Sequence, residues 1–147
     1  MRAGRLTILA LVAVIAAGAA VFAWTPDYQT VTGDKIVSID VSSLGTGGAR
    51  LFGYTDKAGD NLRFILTRGD DGKAHSVFDA CRQCYTYHRG YKISGNEAIC
   101  RVCGNRYPIG HLTEGKASCV PVGLPIEQDS ETVRIKTDDL KAGHWLF

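Results

Sequence analysis

Cys81-Arg82-Gln83-Cys84 and Cys100-Arg101-Val102-Cys103-Gly104 are the stretches that decide how this chain is read. The two C-x2-C pairs are separated by 15 residues. Each pair can close a tight turn that aims two sulfurs at one point. Two such turns face to face supply four thiolates in a tetrahedron, as in zinc ribbons and rubredoxin-like iron sites. Four cysteines can equally hold an iron–sulfur cluster. Gly104 suits the turn, because the residue after a knuckle often needs a backbone conformation that only glycine adopts cheaply. Disulfides are the competing reading, but five cysteines cannot all pair within one chain. A thioredoxin-like redox pair needs a βαβ context that the flanking residues do not supply.

Around the pairs, Arg82, Arg89, Lys92, Arg101 and Arg106 stand against Glu97 alone. Cationic side chains offset the negative charge of a thiolate-rich centre. Cys119 follows in Lys116-Ala117-Ser118-Cys119-Val120-Pro121. It can replace one of the four sulfurs, hold a second ion, or remain a buried thiol. His88 and His111 are further candidate ligands through imidazole nitrogen, with surface or packing roles as the alternative. His75 and His144 have no partner visible in sequence. Tyr85, Tyr87, Tyr91 and Tyr107 are expected to shield the site and fill a thin core.

Outside the cysteine region the chain reads as mainly β. Residues 36–41 and 62–66 are rich in β-branched and large apolar side chains, and 75–78 lead into the first pair. Residues 132–136 alternate, with Val133 and Ile135 inward. Turn signals at 32–34, 58–61, 69–72 and 94–96 separate these runs. Short helical turns are expected at 42–45 and 137–141, the second with Thr137 as N-cap and Gly143 just past its end. Val37-Ser38-Ile39 with Leu44 and Gly47 echoes Val133-Arg134-Ile135 with Leu140 and Gly143, as two ordinary strand-turn units do by chance.

The N-terminal segment is a different object. Leu6 to Ala23 are 18 uncharged positions preceded by Arg2 and Arg5. As a helix they span roughly 27 Å, close to the hydrocarbon thickness of a bilayer. Trp24 stands where an interfacial aromatic anchors such a helix, and the positive end stays in the cytoplasm. The expected organisation is therefore one N-terminal transmembrane helix over 1–24, a linker over 25–34 and a cysteine-rich β domain over 35–147. Seven of the 18 residues are alanine, and Val21-Phe22-Ala23 also suits a cleaved signal peptide. Either reading exports the domain from the cytoplasm. The chain carries 17 Lys plus Arg against 15 Asp plus Glu, and without Arg2 and Arg5 the balance is 15 to 15. A neutral exported domain is not built to bind nucleic acid.

Val77-Phe78-Asp79-Ala80-Cys81-x2-Cys84, Gly90-Tyr91, Cys100-x2-Cys103-Gly104-x2-Tyr107-Pro108-Ile109 and Cys119-x-Pro121 together resemble the membrane iron–sulfur containing FtrD-like family. The resemblance covers roughly residues 35–147 and extends to Val133-x-Ile135, Leu140-x2-Gly143 and Phe147. It implies a membrane-attached iron–sulfur protein that accompanies bacterial iron uptake. Ala117-Ser118 stand where the family often has a glycine pair, and Tyr107 where it commonly has phenylalanine. A more distant similarity is to Rieske-type domains: Leu44-x2-Gly47-Gly48-Ala49, a strand, Asp71-Gly72 and Phe78-Asp79 match their opening. There, two histidines complete the centre. Here Cys84 and Cys103 fall near those positions, which implies an all-thiolate site of lower potential in a comparable small β fold.

The leading expectation is therefore a membrane-anchored, extracytoplasmic electron-transfer protein. Its iron–sulfur cluster or iron is held by Cys81, Cys84, Cys100 and Cys103, with Cys119 as a possible addition, and it works with membrane proteins of a metal-uptake or electron-transfer system. The alternatives are a structural zinc module, zinc having no redox chemistry, and a delivery protein for a soft ion such as Cu(I). The sequence has no H-E-x-x-H, G-x-S-x-G or phosphate loop, so nothing in it points to a hydrolase.

Overall fold

The computed structural model describes residues 26–114 and 119–147, and the expected membrane segment lies outside them. No helix among the described residues is long and apolar enough to cross a membrane. The domain is mainly β. Its strands are β1 (Gln29–Val31), β2 (Ile36–Asp40), β3 (Ala49–Thr55), β4 (Asn61–Arg68), β5 (Ala74–Cys81) and β6 (Tyr91–Ser94). They continue with β7 (Glu97–Cys100), β8 (Arg106–Pro108), β9 (Pro121–Gly123), β10 (Glu127–Gln128) and β11 (Thr132–Lys136). One short helix, α1 (Thr137–Lys141), follows β11.

Three sheets organise these strands: β1-β3-β4-β5-β9, β10-β11-β2 and β6-β7-β8. The five-stranded sheet has a core on each face. Leu62, Phe64 and Leu66 of β4, with Phe78 and Ala80 of β5, pack against Val37, Ile39, Val133 and Ile135 of the β10-β11-β2 sheet. Ile65, Val77 and Cys81 face the other way, toward Tyr91, Ala98, Cys100 and Tyr107 of the β6-β7-β8 sheet. Successive strand residues point to opposite faces. A strand covered on both faces therefore reads as an apolar run, and this is why 62–66 lacks the alternation that marks 132–136.

The two echoing strands are neighbours. β2 and β11 pair antiparallel, with Val37 opposite Ile135 and Ile39 opposite Val133. All four side chains enter one core, so a shared strand pattern has a shared packing cause.

Three expectations are corrected. Within the expected linker, Gln29–Val31 form β1, which pairs in parallel with β3, Gln29 opposite Phe52. Residues 42–45 form a turn and no helix: Leu44 N–H donates to Val41 O at 3.0 Å, and Asp40 accepts the Ser42 N–H at 2.8 Å. Thr137 is the first helical residue, and its hydroxyl donates to Asp34 O at 3.1 Å.

Gly143 follows α1 as expected, but its φ of −87° is ordinary. Its requirement is space, since a Cβ there would strike the Phe78 ring. Gly143→Ala is expected to cost roughly 1–3 kcal/mol through overpacking. Urea denaturation read by tyrosine and tryptophan fluorescence measures it; an unchanged midpoint would show that the ring moves aside freely.

Candidate metal centre

Strand β5 delivers the first sulfur. Val77, Asp79 and Cys81 are spaced two apart and share the face turned to the second core. The chain then turns, and Cys84 N–H donates to Cys81 O at 3.1 Å. Backbone N–H groups of Gln83 and Cys84 reach the Cys81 sulfur. The second knuckle repeats the device, with the N–H groups of Val102 and Cys103 directed at Cys100. Gly104 closes it at φ +75°, its N–H donating to Cys100 O at 3.0 Å, as the glycine there led one to expect. Cys119 arrives from the other side, just before β9. Arg82 N–H donates to Val120 O at 3.1 Å, and the Tyr107 hydroxyl donates to Cys119 O.

The sulfurs of Cys81, Cys84, Cys103 and Cys119 all lie within 4.8 Å of one another. Cys100 is outside that mutual group but touches it, its thiol partnered with that of Cys103. Cys81 and Cys100 are buried, Cys84 and Cys119 half-buried and Cys103 exposed, and all five carry free thiols. The structure thus gathers all five cysteines of the sequence at one end of the second core, and Cys119 stands inside the tightest group.

Their electrostatics suit a cation. Burial opposes ionisation of Cys81, but the Gln83 and Cys84 N–H groups and the neighbouring thiols outweigh it, so its pKa lies below that of an ordinary thiol. Burial and the adjacent Cys81 and Cys103 push Cys84 well above it. Burial also raises Cys100, despite its two N–H donors. Like charges this close cannot all form in isolation. A soft or borderline cation removes the conflict by binding the thiolates directly. The donor set therefore fits a thiolate-bound metal or iron–sulfur group.

A buried carboxylate locks the frame behind the sulfurs. Asp79 is wholly buried, and its Oδ1 accepts the Tyr91 N–H at 2.6 Å while its Oδ2 accepts the Tyr28 hydroxyl. Burial raises its pKa, opposed by these two bonds and by Arg63 and Arg101. Gly90, at φ +60°, lies so close that a Cβ would collide with the Asp79 carboxyl. Arg63 lies over the Tyr28 and Phe147 rings, 5.7 and 5.4 Å from their centroids, and donates to His88 O at 3.2 Å. Tyr28 just before β1, the C-terminal Phe147 and the loop after the first knuckle are thereby tied to one guanidinium. The sequence motif contained Asp79, a lone acid among apolar residues two places before Cys81, but assigned it no role, and nothing in the sequence singled out Arg63 or Tyr28.

His88 lies in the loop after the first knuckle and lines the same crevice as Cys81, Cys84 and Cys100, though it is not in the cysteine group, whereas the other three histidines lie elsewhere in the fold. His111 is exposed and pairs with Glu114 at 3.0 Å and Asp70 at 3.5 Å. His75 meets Asp71 at 3.2 Å. His144 contacts Asp56 and Asp60, each at 3.2 Å, so both histidines that lacked a visible partner have one. Of the basic residues near the knuckles, Arg106 pairs with Glu97 at 2.8 Å, and Arg101 donates to Tyr91 O at 3.0 Å. Tyr91 and Tyr107 fill the second core as expected, whereas Tyr87 is exposed.

A β domain that gathers five thiols at one point belongs to the class of folds that could hold a thiolate-bound metal. The family described as membrane iron-sulfur containing protein FtrD-like matches residues 44–147, and the chain belongs to it. No curated protein and no solved structure matches the chain. The family's description supplies a membrane setting and an iron–sulfur group; the cysteine cluster is where this chain could hold such a group.

His111 gives a pH dependence that can be checked. Hydrogen bonding to Glu114, then its charge, then Asp70, raise the imidazole pKa in the folded state. A raised folded pKa means that this contribution to stability is fully present below the unfolded value of about 6.5 and is lost as pH rises through the folded pKa. An NMR titration is expected to place His111 above a free histidine, and Glu114→Gln to bring it back toward one. Identical midpoints in the two proteins would show that the pair does not form in solution.

Proposed function

We propose that this domain is a one-electron carrier on the extracytoplasmic face of the inner membrane, held there by residues 6–23 and accessory to iron uptake through partner membrane proteins. The observation that carries the reading is the convergence of free thiols at one end of a rigid β core, in a chain of a membrane iron–sulfur family. Cys81, Cys84 and Cys103 hold the group, and Cys119 is the fourth ligand on the strength of its mutual distances. Cys100 lies against the site as a fifth thiol able to stand in. An iron–sulfur group or iron bound there supplies a one-electron couple.

The chain's own groups do the rest. N–H groups of Gln83, Cys84, Val102 and Cys103 stabilise thiolate charge at the two knuckles. The β6-β7-β8 sheet and Tyr91 keep water from the inner sulfurs, while exposed Cys103 is the edge through which an electron partner gains contact. A second reading, one zinc or iron ion, is favoured by the 4.8 Å limit on the sulfur separations. Metal–sulfur bonds of about 2.3 Å in a tetrahedron put sulfurs about 3.8 Å apart. With zinc the site would be structural. A Cu(I) delivery role uses the same thiolates without redox work.

Full-length protein purified without oxygen from iron-replete cells is expected to be coloured, to bleach reversibly with a one-electron reductant and to show an electron-paramagnetic signal in one oxidation state. A colourless protein with stoichiometric zinc and no reducible chromophore contradicts electron transfer. Ser in place of Cys81, Cys84, Cys103 or Cys119 is expected to remove most bound metal and, with it, on the order of 10 kcal/mol of coupled binding and folding energy. Cys100→Ser is expected to be milder. Metal loss in Cys100→Ser with retention in Cys119→Ser would instead assign the site to the two C-x2-C pairs.

A further inference from the structure

Tyr91 is wholly buried in the cluster that contains Cys81 and Cys100, and it is the register partner of Cys100 across β6 and β7. Its position is fixed from several sides. Its N–H donates to Asp79 Oδ1 at 2.6 Å, and its carbonyl accepts from Arg101 Nε at 3.0 Å. Its ring meets Tyr107 edge-on, with centroids 6.1 Å apart and planes at 81°. Yet its hydroxyl has no hydrogen-bond partner, the one buried side-chain N or O atom in that condition among the described residues. Phenylalanine would fill the same space without leaving a buried donor unsatisfied, a condition that costs stability. Tyr107 differs here, because its hydroxyl is spent on Cys119 O.

The Cys81 thiol, in the same buried cluster, lies beside the Tyr91 hydroxyl without completing a hydrogen bond of normal geometry. A neutral thiol is a weak acceptor, whereas a thiolate accepts a charge-assisted bond. We propose that the Tyr91 hydroxyl donates to the Cys81 thiolate of the metal-loaded centre, which makes Tyr91 a positioning residue whose hydrogen bond forms only when the site is filled. The proposal rests on the reading of the cysteines as metal ligands, and not on which metal they hold. The bond favours Cys81 as thiolate and so tightens metal binding. It also withdraws electron density from sulfur, which favours the reduced form of a redox-active centre.

The test is Tyr91→Phe in the full-length chain, with Zn(II), Co(II) and iron as probes. The metal-free variant is expected to melt no lower than wild type, because an unsatisfied hydroxyl has been removed. Its Zn(II) dissociation constant, from chelator competition, is expected to rise about tenfold, and the sulfur-to-Co(II) charge-transfer band to shift. With iron bound, loss of the bond is expected to lower the one-electron potential, by about 59 mV for each tenfold by which the bond had favoured the reduced over the oxidised centre. A purely structural tyrosine gives the reverse pattern: a destabilised metal-free variant with unchanged affinity and band position, which overturns the proposal. Wild-type protein that takes up neither Zn(II) nor Co(II) overturns the metal reading itself, and this proposal with it.

Discussion

Crowding of sulfur is the constraint on which the site turns. Four thiols within 4.8 Å of one another, with a fifth beside them, cannot all ionise unaided. Burial raises Cys84 and Cys100, while backbone N–H groups draw Cys81 the other way. A cation bound to the sulfurs resolves that conflict, and its binding energy becomes folding energy for the segments that carry them. Three separate pieces of chain would be joined in this way: the end of β5, the β7–β8 turn and Cys119 just before β9.

The remaining architecture holds these three pieces in place. The five-stranded sheet has one core without cysteine and another that ends in the thiols. Asp79 couples the two knuckles, because it sits two residues before Cys81 on the same strand face and accepts the N–H of Tyr91, the partner of Cys100 in the small sheet. Through Tyr28, the same carboxylate fixes the point where the N-terminal segment enters the fold.

Features set by local pattern were legible in the sequence. The knuckles and Gly104 follow from spacing, and β11 from its alternation. The match over residues 44–147 agrees with the resemblance carried by the cysteine, glycine and proline positions. What was not legible depends on long-range contact. β4 is covered on both faces, so its periodicity is erased. β1 pairs with a strand more than twenty residues away, and the residues expected as a linker gave no sign of it. Tyr28 meets Asp79 across 51 positions, and Thr137 meets Asp34 across 103. Cys119 lacks a C-x2-C partner, so spacing alone could not place it among the other sulfurs.

X-ray absorption at the metal edge of the anaerobically purified full-length protein tests the central claim most directly, because it counts the atoms bound to the metal. The account predicts bound iron whose first shell is sulfur alone, with the cysteine sulfurs supplying the protein's share. A shell containing nitrogen or oxygen from the chain, or five cysteines that react as free thiols in protein with no bound metal, would contradict it.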